Sequence, residues 1–254
     1  VLEDITDFAR ENGLDPAHNY AAAGDLLMYD GKQYAYPCNL AVRGLLCNVD
    51  LFRKYGMEPP PEAWTPEEFE AYGLEFIRRA NAGRARQEVF FAGAMPGIIL
   101  PLARSMGGDL FNETLTAPAL NTEPFEKALT LYQRWVTGLH LIPDAAEIAS
   151  ESTDASSVNS EATPQLVSGR YAMITTGRYV NMDLRRFKSG PVTLSFSQFP
   201  EYGFRNLVLT SRNTAIYKGS KYKEYAKIFL LFLASREYND LIIRDSDGLP
   251  PNPE

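Results

Sequence analysis

The chain has 254 residues, of which 45% are hydrophobic, and a net charge of −7. That is enough for one large domain or two modest lobes with cores of their own, and the acidic balance argues against nucleic acid or an anionic membrane as partner. The longest apolar run, Ile228 to Ala234, falls far short of the roughly 20 residues a bilayer-spanning helix needs.

The opening VLEDITDFAR has neither the basic start nor the apolar stretch of a signal peptide. It also lacks an initiating Met, so the chain reads as a processed product or a piece of something longer. Strands are expected at Gln33 to Pro37 and Leu45 to Asn48. A tight turn at Ala41-Val42-Arg43-Gly44 would set Cys38 opposite Cys47 on a hairpin, where the two could be bridged. The alternative is a pair of semi-buried thiols. Two cysteines are too few for a disulfide framework or a zinc site. His18 and His140 have no ligand spacing around them, and each reads as a surface or loop residue.

Trp64-Thr65-Pro66-Glu67-Glu68 is a helix start, with Thr65 as N-cap, Pro66 at the first helical position and Glu68 completing a capping box. Phe69, Phe76, Ile77 and Ala80 follow at helical spacing and Gly83 ends the run. A strand is expected at Val89 to Gly93. A second helix starts near Thr122, with Phe125, Ala128, Leu129, Tyr132, Trp135 and Val136 as its apolar stripe and Gly138 after its end. Ala145 to Thr163, rich in Ser, Ala, Glu and Thr, reads as a solvated loop with one helical turn. Further strands are expected at Tyr171 to Thr176, Val192 to Phe196 and Asn206 to Tyr217. A third helix after Ser220 turns Tyr225, Ile228, Phe229, Phe232 and Leu233 inward, and Ser235 caps a fourth through Ile243. Alternating strands and helices define an α/β protein.

No enzyme signature survives inspection. Met106-Gly107-Gly108-Asp109 lacks the Lys-Ser/Thr of a phosphate-binding loop, and no Gly-x-Ser-x-Gly elbow is present. Glu67, Glu68 and Glu70 are explained by a helix start and its dipole. The aromatics say more: 14 Tyr, 14 Phe and 2 Trp. A tyrosine ring can cover the apolar face of a sugar while its hydroxyl hydrogen-bonds, for about 1 kcal/mol per ring from roughly 50 Å² buried. Gly169-Arg170-Tyr171 and Gly177-Arg178-Tyr179 frame one short strand. The first is a turn entering the strand. The second leaves Tyr179 at the strand's end, as a ligand platform or as a packed ring.

Order and spacing add a resemblance. Tyr29-Asp30-Gly31-Lys32-Gln33-Tyr34-Ala35-Tyr36-Pro37 is followed by Leu45-Leu46-Cys47-Asn48-Val49-Asp50-Leu51-Phe52, then Tyr55-Gly56-Met57-Glu58-Pro59-Pro60 and the Trp64-Thr65 helix start. Gly107-Gly108-Asp109-Leu110-Phe111, Leu166 to Met173, Ala215 to Ser220 and Gly248-Leu249-Pro250-Pro251 continue the order. This resembles the extracellular solute-binding proteins of sugar-type bacterial ABC importers, the maltose-binding-protein-like family, with its "DGKxYGxP", "LxYNxDLF" and "GxxPPxTW" patterns. Cys47 stands where the family has the tyrosine of "LxYN".

The resemblance implies a two-lobed periplasmic-binding-protein-like fold of type II, its lobes joined by hinge strands, with ligand in the cleft. On this reading 1–40 is part of lobe 1, 41–204 most of lobe 2 and 205–254 the return to lobe 1, and both ends of the family fold are missing. It implies a monomeric receptor, periplasmic or anchored at the surface. The receptor would deliver a carbohydrate to ABC permease membrane subunits without catalysis, cofactor, metal or nucleic acid. The rivals are a receptor for a polyamine, peptide or organic acid, and an α/β enzyme such as a glycosidase. The ligand-contact positions it implies are Tyr179 and Arg178 after the strand, Asn39 and Arg43 at the first crossing, Met95 and Gly97 in a sugar-contacting loop, and Tyr202 and Arg205 near the second crossing.

Overall fold

The computed structural model describes residues 1–151, 162–185, 192–205, 207–245 and 247–252. Helices α1 (Thr6–Glu11) and α2 (Gly24–Leu27) precede a small antiparallel hairpin, β1 (Met28–Tyr29) with β2 (Lys32–Gln33). Then comes β3 (Ala35–Asn48), a single strand of 14 residues, followed by α3 (Val49–Lys54), α4 (Pro66–Ala80), α5 (Ile99–Ser105) and α6 (Glu123–Gln133). One π-helical stretch, Arg134–Gly138, extends α6. The order continues with α7 (Ala145–Glu151), α8 (Thr163–Ser168), β4 (Met173–Gly177), α9 (Val180–Leu184), β5 (Leu194–Ser197), β6 (Val208–Ala215), α10 (Lys223–Ala234) and α11 (Arg236–Asp245). The sheet order is β4-β3-β5, with β6 also pairing β3. Leu45 lies opposite Ser197 and Asn48 opposite Leu194 in the antiparallel β3–β5 ladder.

The chain forms two compact units. The first is Val1–Arg43, Gly177–Arg186 and Leu209–Glu254; the second is Gly44–Thr176 and Phe187–Val208. This differs from an unbroken second lobe over 41–204, because the segment after β4 belongs to the first unit. β3 serves both cores. Side chains alternate faces along a strand, and even-numbered Tyr36 and Cys38 join Ile5, Leu14, Ile216, Leu230 and Leu233 in the first unit's core. Odd-numbered Leu45 and Cys47 join the core of the second.

The second core is aromatic. Phe69 lies 4.6 Å from Trp135, 5.0 Å from Phe91 and 5.1 Å from Trp64 between ring centroids, and Phe52 and Phe76 are 4.9 Å apart. Such tilted and edge-on pairs suit the ring quadrupoles. Both indole N–H groups are satisfied although the rings are buried: Trp64 Nε1 donates to the Gln198 carbonyl at 3.0 Å, and Trp135 Nε1 to Glu70 Oε1 at 2.9 Å. α4 begins as its sequence dictates. Glu68 N donates to Thr65 Oγ1 and Thr65 N to Glu68 Oε2, and Pro66 occupies the first turn. Ser235 likewise accepts from Tyr238 N at the start of α11.

Several expectations change. No turn forms at 41–44, because those residues lie inside β3. Both cysteines are free, and about 3.3 Å per residue puts them roughly 30 Å apart, far beyond bridging distance. Val89 to Gly93 is not a strand. Its amides divide between two partners, Phe90 N bonding Arg170 O at 2.8 Å and Phe91 N bonding Leu141 O at 3.0 Å, so no continuous ladder develops. Ala145 to Glu151 is a helix, and 152–161 lies outside the described residues. Leu129 on α6 is exposed. So are Tyr225, Ile228, Phe229 and Phe232 on α10; Leu233 faces the core as expected, and Leu230 joins it. α10 carries two apolar stripes, and periodicity alone does not say which one a core takes.

Two stability tests follow from this packing. Phe69→Ala should cost about 3–5 kcal/mol, the usual toll of truncating a packed aromatic, against about 1 kcal/mol for Thr65→Ala at the helix cap, both read by denaturant unfolding. Burial pushes the Cys47 thiol up to about 12, whereas Cys38 is half-buried and bonds Thr214 Oγ1 at 2.6 Å. At pH 8 a thiol reagent should therefore modify Cys38 first and reach Cys47 only on unfolding. Because the unfolded thiol ionises near pH 8.5 and the folded one does not, Cys47 should also subtract stability as the pH rises above about 9.

Candidate functional site

The eight positions singled out in the sequence divide evenly between the units. Asn39, Arg43, Arg178 and Tyr179 belong to the first, and Met95, Gly97, Tyr202 and Arg205 to the second.

In the first unit the constellation is built on β3 and on the turn from β4 into α9. Asn39 and Arg43 share the odd-numbered face of β3, with Ala41 between them. Asn39 is buried and donates Nδ2 to the Asp247 carbonyl at 3.0 Å. Arg43 is half-buried; its Nε is hidden from solvent and makes no hydrogen bond. The turn lies against the strand: a Cβ on Gly177 would sit 3.0 Å from the Val42 carbonyl oxygen and 2.8 Å from the Tyr179 ring. Only glycine lets Tyr179 fold back this closely. Tyr179 itself is half-buried, with ring area left to meet a ligand.

Arg178 has another task. Its guanidinium donates to the Gly248 carbonyl at 2.5 Å and to the Ile243 carbonyl at 2.9 Å. Its donors tie the turn to the end of α11 and the loop beyond. Leu40 and Leu249 exchange backbone hydrogen bonds of 3.0 and 2.6 Å, and Gly248 has φ +84° with a Cβ that would collide with the Leu40 carbonyl. The quoted Gly248-Leu249-Pro250 was the available signal, since such a glycine marks close backbone approach. Asp247 also pairs with Arg212 at 3.6 Å.

In the second unit Met95 is 2% exposed and packed in the aromatic core. Its side chain presents no ligand surface, which departs from the expected role. Gly97 is exposed on the turn Pro96–Ile98, with open space where a side chain would go. The Tyr202 hydroxyl donates to Glu67 Oε1 at 3.3 Å, and burial, with Glu67 close by, raises its pKa. Arg205 is 84% exposed and 3.9 Å from Glu201, a solvated side chain. In the first Gly-Arg-Tyr, Gly169 caps α8, Arg170 donates to the Glu88 carbonyl at 3.1 Å and lies over Phe90, and Tyr171 is buried.

A cavity of about 700 Å³ in the second unit is lined by Arg86, Gln87, His140, Glu147, Gln165 and Arg170 among others. None of the eight positions lines it. Much of its polar lining is spent internally: His140 Nε2 is 2.8 Å from Glu147 Oε2 and Gln87 Nε2 donates to the His140 carbonyl at 2.8 Å. Among the described residues no group of three or more His, Cys, Asp and Glu side chains could hold a metal, and no helix is long and apolar enough to cross a membrane.

Residues 1–240 match the family described as bacterial extracellular solute-binding protein, and the chain belongs to that family of receptors. A binding protein of Brucella abortus (strain 2308) is 23% identical over 233 residues, taking in 89% of this chain and 52% of its own length. Among solved structures, an ABC substrate-binding protein of Listeria monocytogenes in complex with cycloalternan is 24% identical, with a TM-score of 0.81 over 100% of this chain and 62% of its own. An ABC transporter solute-binding protein of Thermotoga lettingae bound with α-D-tagatose is 17% identical, with a TM-score of 0.78 over 99% of this chain and 62% of its own. The likeness establishes the α/β fold of the two-lobed periplasmic solute-binding proteins. The chain spans about half the length of the curated relatives it matches.

Gly248→Ala should loosen the loop, because backbone at positive φ and against a carbonyl tolerates no Cβ without moving. Amide exchange in 240–250 and around Leu40 should speed up by at least tenfold, while the aromatic core of the second unit keeps its protection. Unchanged exchange would show that the loop does not depend on this contact.

Proposed function

We propose that the protein is the solute-binding component of a bacterial ABC importer and that its ligand is a carbohydrate. The observation that carries this reading is the family match over residues 1–240. Relatives of the same fold are described in complex with cycloalternan, α-D-tagatose and D-mannitol, which supports a polyhydroxylated ligand here.

Tyr179 is the platform on this reading. Its half-buried ring covers one sugar face, held in place by the missing side chain at 177. Asn39 and Arg43 lie on neighbouring β3 and supply polar groups. Arg178 shapes the turn. Arg205 stays a candidate as a solvated outer contact. One ring contributes about 1 kcal/mol, so useful affinity requires several contacts and pre-organisation. The tethers at Asn39, Arg178 and Leu249 supply that pre-organisation. The output is binding and release of an unaltered solute to the permease's membrane subunits, by a monomer outside the cytoplasmic membrane.

A second reading keeps the receptor and changes the solute. A Mycobacterium tuberculosis relative, 14% identical with a TM-score of 0.74, is described in complex with glycerophosphocholine.

A panel of mono- and oligosaccharides, screened by thermal shift and then by calorimetry, tests the proposal. A sugar that stabilises the protein and is recovered unchanged supports it; a hydrolysed or modified sugar sinks it. Tyr179→Ala should weaken that sugar about tenfold, or roughly 1.4 kcal/mol, and unaltered affinity would remove Tyr179 from the site.

A further inference from the structure

Resting on the carbohydrate reading, we propose that the ligand carries an anionic group, a carboxylate or a phosphate monoester on the sugar, and that Arg43 is the residue that reads it. Arg43 lies in mid-strand on β3 and is half-buried. Its Nε is shielded from water with no acceptor, and its guanidinium has no hydrogen bond or ion pair among the described residues.

An arginine held this way is out of the ordinary. Surface arginines keep their heads in water, and buried ones are paired. A buried donor without an acceptor is destabilising, and an arginine stem alone would be replaced by an apolar residue at no loss. The outer edge of the guanidinium offers a planar fork, which matches the two oxygens of a carboxylate or phosphate.

The surroundings favour an anion. Asn39 is on the same face of β3. Arg178 adjoins the strand through the Gly177–Val42 approach, and its hydrogen bonds go to neutral carbonyls, so its positive charge is left uncancelled by them. The carboxylate of Asp247, whose carbonyl Asn39 holds, is paired with Arg212. Arg43 and Arg178 belong to the same unit as Tyr179, on a chain whose net charge is −7. A neutral sugar would leave the Arg43 charge unmatched; a uronate or a sugar phosphate would satisfy it.

The test is calorimetry on the full chain at constant ionic strength with matched pairs: D-galacturonate against D-galactose, their disaccharides, and D-glucose 6-phosphate against D-glucose. In at least one pair the acidic member should bind tenfold or more tightly than its neutral counterpart, and which pair does so tells carboxylate from phosphate. Arg43→Gln should erase that preference, bringing the acidic and neutral members of the pair to within about twofold of each other, and Arg43→Lys should keep part of it. Equal binding of acidic and neutral members by the unmodified protein overturns the inference and leaves the carbohydrate reading standing. So does a preference that survives Arg43→Gln. Binding of no sugar in any pair overturns both.

Discussion

The structure depends on the two-residue period of β3. Consecutive side chains point to opposite faces, and this one strand divides them between two cores, Tyr36 and Cys38 into the first and Leu45 and Cys47 into the second. A single added or lost residue anywhere between Cys38 and Leu45 would turn one set of side chains out of its core while sparing the other. The strand's length is thereby fixed by packing at both ends. The residues midway, Asn39 to Arg43, are the ones relieved of core duty on the odd face, and there the chain places its polar groups.

Around that stretch the structure spends much of its hydrogen bonding on holding backbone still. Asn39 grips the Asp247 carbonyl, Arg178 grips those of Gly248 and Ile243, and Leu40 and Leu249 pair through their main chains. Bonds from a charged donor are among the stronger ones, roughly 1.5–3 kcal/mol, so Arg178 is worth more as a brace than an arginine left in water. The consequence is a division of labour between two arginines: Arg178 donates to two carbonyls, and Arg43 has no acceptor among the described residues.

Local chemistry was legible in the sequence and choices between faces were not. Thr65, Pro66 and Glu68 determine the start of α4 by contacts within four residues, so their pattern reads correctly, as does Ser235 before α11. Gly44 reads as a turn because glycine is favoured there, but it serves a different need: a Cβ would collide with the Phe196 ring, a partner far along the chain. α10 is apolar on two sides, and only the fold selects Leu230 and Leu233 over Ile228 and Phe229. Motif order singled out Asn39 and Arg43, which lie on β3, and Tyr179, which follows β4. It could not show that Met95 turns into the aromatic core or that Arg178 is committed to carbonyls, since both depend on partners brought in from elsewhere.

The bare backbone at Gly177 carries one more implication. With the Tyr179 ring resting where a methyl group would otherwise be, the ring's height above the strand is set by an atom that is missing. On the carbohydrate reading, with Tyr179 as the platform, a lineage could retune which solute the protein prefers by mutating position 177 alone. The aromatic shelf would be raised or tilted, and no group that meets the solute would be exchanged.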